Sequence, residues 1–183
     1  MVAPDATYAA LVREPAQVGA FAALRRPIVV AVVLGAGMAL SSTRHVTPSL
    51  VVSTTVVWSF VVIAQVAIAL AVMPRSETSN VGRARALDLF FASHAPWSLW
   101  MLCAAIWGPP LIGHPLKPLW LAALVPIALT PRIIAAFFRE VLGLDQHRAT
   151  VHTLVHQTLT WGLLAAIFGA AVALWPRVLQ VIG

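Results

Sequence analysis

Charge is what this chain has least of. Only 10% of its 183 residues are Asp, Glu, Lys or Arg, where a soluble domain carries about 25%. Hydrophobic residues make up 60%, and the mean hydropathy is +0.89. A soluble fold of this length could not hide so much apolar surface. The composition therefore excludes an ordinary soluble domain and points to a polytopic membrane protein of one domain. Cysteine is nearly missing too. Cys103 is alone, so no intrachain disulfide forms and the redox compartment is not readable.

Catalytic signatures are also lacking. There is no Gly-x-Ser-x-Gly elbow, no His-Glu-x-x-His pair and no glycine loop that cradles phosphate. Ser93 and His94 are merely adjacent. A non-enzymatic protein is the expectation. The net charge of +6 does not imply nucleic acid, because the arginines flank apolar runs. There they serve as topology signals and meet anionic headgroups. The first 26 residues have no early basic patch followed by a long apolar run, so no signal peptide is expected.

What is present is an all-α pattern of five apolar runs behind an amphipathic prelude. Residues 1–26 carry Tyr8, Leu11 and Val12, then Val18, Phe21 and Ala22, at helical spacing broken at Pro15. They predict one or two interfacial helices ended by Arg25, Arg26 and Pro27. The transmembrane domain, 27–183, then holds spans at about 27–43, 49–73, 87–108, 119–142 and 153–175. The fourth is interrupted by Pro126 and Pro131. Gly143 is placed to end its helix and Asp145 to cap the next. That last helix, from Gln146 to about Trp175, is about 45 Å long, so its first turns lie outside the core.

Five spans put the termini on opposite sides. Arg13, Arg25, Arg26, Arg75, Arg83, Arg85, Arg139 and Arg148 fall on the N-terminal side, against Arg44, Lys117 and Arg177 on the other. The positive-inside rule makes the N-terminus cytoplasmic, as in a bacterial inner membrane. Trp107, Trp120 and Trp175 fall near the outer boundary, and Trp58 falls mid-span.

Three stretches carry a family likeness: "ALVREPAQVGAFAALRRP", "RARALDLFFASHAPWSL" and "FFREVLGLDQHRATVHTLV". With these the chain resembles the YIP-domain family of five-span membrane proteins, in a prokaryotic-type form. The resemblance implies a fold and no catalytic residues. Eukaryotic members act in vesicle traffic and bind prenylated Rab-type GTPases through long cytosolic N-terminal regions. This chain has about 26 residues there.

Two constellations stand out as candidate sites. His152 and His156 share a helix face at i, i+4, a spacing that suits a metal ion. His94, in the third span, is a further ligand for a metal or a tetrapyrrole. The bland reading puts His152 and His156 at headgroup depth and gives His94 a hydrogen bond to a neighbouring helix. The second group is Arg132, Arg139 and Glu140 in the fourth span, with Asp88 and Gln65 elsewhere. An intramembrane arginine requires a partner or a water-filled cavity. Arg132 is therefore expected to be buried in an ion-pair lock between spans three and four. A transporter using Arg132, Glu140 and Gln65 is the rival reading. The leading one is an interaction scaffold or accessory subunit whose partners are membrane lipids and other membrane subunits.

Overall fold

The structure is a computed structural model that describes residues 3–14, 18–43, 45–73, 81–107 and 121–182. Among these, seven helices and no strands are found: α1 (Pro4–Arg13), α2 (Ala20–Thr43), α3 (Pro48–Val72), α4 (Arg83–Ala92), α5 (Ala95–Trp107), α6 (Leu124–Glu140) and α7 (Gln146–Ile182). Phe21–Ser41 and Pro48–Val72 are each long and apolar enough to cross a membrane. A third crossing follows if α4 and α5, bent by 47° at their junction, are one broken span. The chain is thus an all-helical protein with two or three candidate spans. Among the described residues the expected fourth and fifth spans are not such candidates. α6 is 17 residues, about 26 Å, and contains Arg132, Arg139 and Glu140.

α2 and α3 form the tightest pair, and glycine is the reason. A Cβ on Gly35 would lie 2.5–2.9 Å from Oγ1, N and Cα of Thr55. Two of those atoms are backbone, so only a residue without a side chain lets the helices approach this closely. Thr54 Oγ1 lies 2.9 Å from the Gly35 carbonyl and 2.7 Å from that of Leu50, either of which can take its single hydrogen. α3 begins with Thr47, whose hydroxyl accepts from the Leu50 N–H at 3.3 Å, and Pro48 at its first turn.

Proline acts differently at three places from what the sequence predicts. Pro27 does not start α2: the helix runs through it from Ala20. Pro131 does not break α6, and Pro126 lies in its first turn, where an amide hydrogen has no helical partner anyway. α7 passes Pro176 and reaches Ile182. The break falls instead at Ser93–His94, inside the expected span 87–108. Pro96 cannot donate to the carbonyl of Ala92 and its ring crowds it, so the helix stops before Ala95 and restarts at a new angle.

The turn between α6 and α7 follows the sequence closely. Gly143 has φ 65°, and the Leu144 N–H donates back to the Phe138 carbonyl at 3.1 Å. Asp145 Oδ1 accepts from the Arg148 N–H at 2.9 Å. That hydrogen bond, with the nearby Arg148 and His147 charges, holds its carboxyl below the usual carboxylate range.

The core lies where α1, α4, α6 and the ends of α3 and α7 converge. Phe90 and Phe137 are fully buried and meet edge to face at 5.6 Å; Phe138 packs beside Phe137 at 5.5 Å. α1 does not lie free on the surface. Tyr8 packs edge to face on Phe137 at 6.0 Å, and its hydroxyl donates to the Leu89 carbonyl at 3.4 Å. Burial raises that hydroxyl's pKa well above the ordinary tyrosine value, so it stays a donor.

Replacing Gly35 by Ala should force α2 and α3 apart and cost about 1–3 kcal/mol, as overpacking does. Gly37→Ala should be nearly silent, because its new methyl would meet only side chains at 3.6–3.9 Å. Thermal unfolding of the two variants in detergent gives the comparison.

Candidate functional site

The polar groups gather around the α4–α5 break. At its near end Asp88 is buried, with 4% of its side chain exposed. Arg26 Nε of α2 donates to its Oδ1 at 2.7 Å, and Arg85 Nη1, one turn back on α4, donates to Oδ2 at 3.2 Å. Both carboxylate oxygens are thus engaged by cations. The expected lock exists in a different place. It joins α2 to α4, and not spans three and four, because Asp88, midway along α4, faces α2.

At the break itself, the Phe90 carbonyl loses its usual i+4 donor, since the His94 N–H turns to Phe91 at 3.2 Å. Three groups replace it: the Ser93 N–H at 3.1 Å, the Ser93 hydroxyl at 2.6 Å and His94 Nδ1 at 3.0 Å. A carbonyl only accepts, so His94 Nδ1 carries the ring hydrogen and its Nε2 is a lone pair. That lone pair faces His156 Nε2 of α7 at 3.1 Å. His156 Nε2 is therefore the donor, and its Nδ1, buried and without a partner, is left as an acceptor. Both rings are buried and both pack on Phe90, at 4.8 and 5.5 Å between centroids.

The two histidines expected to act together on α7 are separated. His152 Nδ1 lies 2.9 Å from the Val72 carbonyl at the end of α3, and its ring packs on Phe138. His156 turns to His94. The pairing that sequence spacing could not show is the one across helices. Two Nε2 atoms 3.1 Å apart match a hydrogen bond and also two adjacent ligands of one ion, with metal–nitrogen bonds of about 2.0–2.1 Å. Among the described residues, no three His, Cys, Asp or Glu side chains come together to hold a metal.

Arg132 departs most from expectation. It is exposed, and no ion pair or hydrogen bond to it is found among the described residues. The buried stripe of α6 runs through Pro126, Thr130, Ile134 and Phe137. Arg132 is two residues from Thr130 and from Ile134, about 200° away around the helix, so it stands on the opposite side. Arg139 is half-buried. It pairs with Asp5 of α1 and donates to Gln146 Oε1 at 3.0 Å, so it closes the α6–α7 turn and clamps α1. Glu140 and Gln65 are partly buried. Among the described residues no hydrogen bond or ion pair links either to Arg132. His114, Lys117, Trp120 and the side chains of Trp107 and Trp175 lie outside the described residues, so the expected aromatic boundary does too.

Comparison with protein-family models, with curated proteins and with solved structures gives no match to this chain.

Asp88→Asn should destabilise the fold by somewhat less than the roughly 3–5 kcal/mol of a fully buried pair, because 46% of the Arg26 side chain is exposed. Denaturant unfolding would read this. For the histidines, His94→Leu or His156→Leu alone strands one buried nitrogen and should cost about 1–3 kcal/mol. The double variant should cost less than the sum, with a coupling of about 0.5–3 kcal/mol. Strict additivity would mean that the two rings do not share a hydrogen.

Proposed function

We propose that this protein is a non-enzymatic membrane scaffold or accessory subunit that works by binding other membrane proteins, and that α7 carries the contact. The supporting observation is the outer face of α7. Ala149, Thr153 and His156 are buried against the bundle, and Thr160, Leu164 and Ile167 continue that stripe half-buried. On the other side Val151, Val155, Thr158, Gly162, Ala165 and Gly169 are all exposed. Their spacing alternates four and three, the heptad pattern of one helix packing along another. The residues are small or β-branched, which lets a partner backbone come close. A Cβ added at Gly162 or Gly169 would meet nothing within 4 Å.

In this reading α6 and α7 complete a five-span bundle of the YIP-domain type, with the N-terminus on the cytoplasmic side of a bacterial inner membrane. Arg132 then reaches the headgroups by snorkelling from the outside of α6. The buried polar groups serve the structure: the aspartate and the histidine pair hold the broken third span in place.

Full-length protein extracted in mild detergent at native expression should co-elute with a second membrane protein. Gly162→Ile should abolish that association while leaving the thermal unfolding temperature unchanged, and Leu163→Ala should keep it. A stable monomer without a partner at native expression would end this reading.

A further inference from the structure

An open groove of about 610 Å³ lies between α2 and the bent α4–α5 pair. Its origin is mechanical. α2 and α4–α5 run in the same direction. Arg26 and Asp88 tie them at one end, and Gly37 lies against Leu102, Ala105 and Ile106 at the other. Between the two ties α4–α5 is bent by 47° and α2 is not broken, so the walls part.

The lining is divided. Arg25 and Arg26 stand at one end, and the remainder is apolar but for Ser98, with Val29 and Val33 of α2 facing Leu99 and Leu102 of α5. Among the described residues Asp88 is the one carboxylate paired at the charged end, and both its oxygens are taken by Arg26 and Arg85. Arg25 is exposed and has no acidic partner among the described residues. Three guanidinium groups against one carboxylate leave two positive charges in excess. Arg26 uses Nε on Asp88, and with 46% of its side chain exposed it keeps terminal N–H donors for another acceptor. From Arg26 to Leu34 the trough follows α2 for about 12 Å.

We infer that this groove is a binding site for one anionic phospholipid, its phosphodiester held by Arg25 and Arg26 and one acyl chain laid between α2 and α5. Excess positive charge selects the anion, and the trough selects a chain continuous with it. A partner helix fits poorly. A helix about 10 Å across would need roughly 900 Å³ over the same length, and an apolar one would leave the arginines without an acceptor. The inference goes beyond the α7 contact and does not rest on it, since no residue of α7 lines the groove.

The test is native mass spectrometry of the full chain released from bilayer discs of equal dioleoyl phosphatidylglycerol and dioleoyl phosphatidylcholine. One retained lipid is expected, with the glycerol headgroup favoured by about fivefold or more, the effect of one arginine at a lipid surface. Arg25→Gln should bring the ratio near one, and Arg25→Lys should restore most of it. Arg26 is left intact because it also holds Asp88. Val33→Trp, which fills the trough, should remove the retained lipid, while Val56→Trp on the exposed side of α3 should not. Equal retention of both lipids would overturn the assignment, as would a glycerol preference that survives both Arg25→Gln and Val33→Trp. If Gly162→Ile has no effect on partner binding but these results hold, the groove assignment stands and the scaffold reading alone falls.

Discussion

A proline inside an apolar span leaves backbone carbonyls that neither water nor the helix can satisfy, and much of this structure follows from how the chain meets that demand. Pro96 ends α4 early. Ser93 and His94, at the break, turn their side chains onto the Phe90 carbonyl, whose usual donor, the His94 N–H, has turned to Phe91. That bond fixes the hydrogen on His94 Nδ1 and directs its other nitrogen at His156, which ties the α4–α5 break to α7. The bend also parts α5 from α2 and opens the groove. One local backbone problem thus sets a helix contact, a tautomer and a cavity. Buried polar groups in a membrane protein are often read as chemistry. Among the described residues each finds a structural partner except His156 Nδ1, Arg85 Nε and a few hydroxyl and amide atoms.

Electrostatics does the complementary work at the ends of the bundle. Asp88 is shared by two arginines, and Asp5 holds Arg139. Each acidic group binds elements far apart in sequence, so a chain with only six acidic residues spends two of them on long-range ties. Asp145 is used locally, as a helix cap. The sites of these carboxylates, more than their number, decide the packing.

Local features were legible in the sequence and pairings were not. Gly143 and Asp145 could be placed because a helix stop and a helix cap depend on a few neighbouring residues. Two spans could be placed because length and hydropathy are properties of a single segment. Which proline breaks a helix does not follow from the residue itself, since Pro27, Pro96 and Pro131 look alike in sequence. The partner of Asp88 could not be read, because Arg26, Arg85 and Arg139 differ only by how the helices are arranged. Arg132 looked buried because it sits mid-helix. Its phase relative to Thr130 and Ile134 places it outside, and phase was available in the sequence. The i, i+4 spacing of His152 and His156 was real, but their rings follow different neighbours.

The docking of α1 has a consequence for biosynthesis. Tyr8 and Asp5 find their partners on α6, at Phe137 and Arg139, so α1 cannot reach its final place until more than a hundred residues after it exist. At a synthesis rate of about 5–20 residues per second that interval is roughly 6–25 seconds. During it α1 has a polar face and an apolar face with nothing but the membrane surface to rest on. The docking of α1 therefore waits for α6, and a helix made early closes against one made more than a hundred residues later.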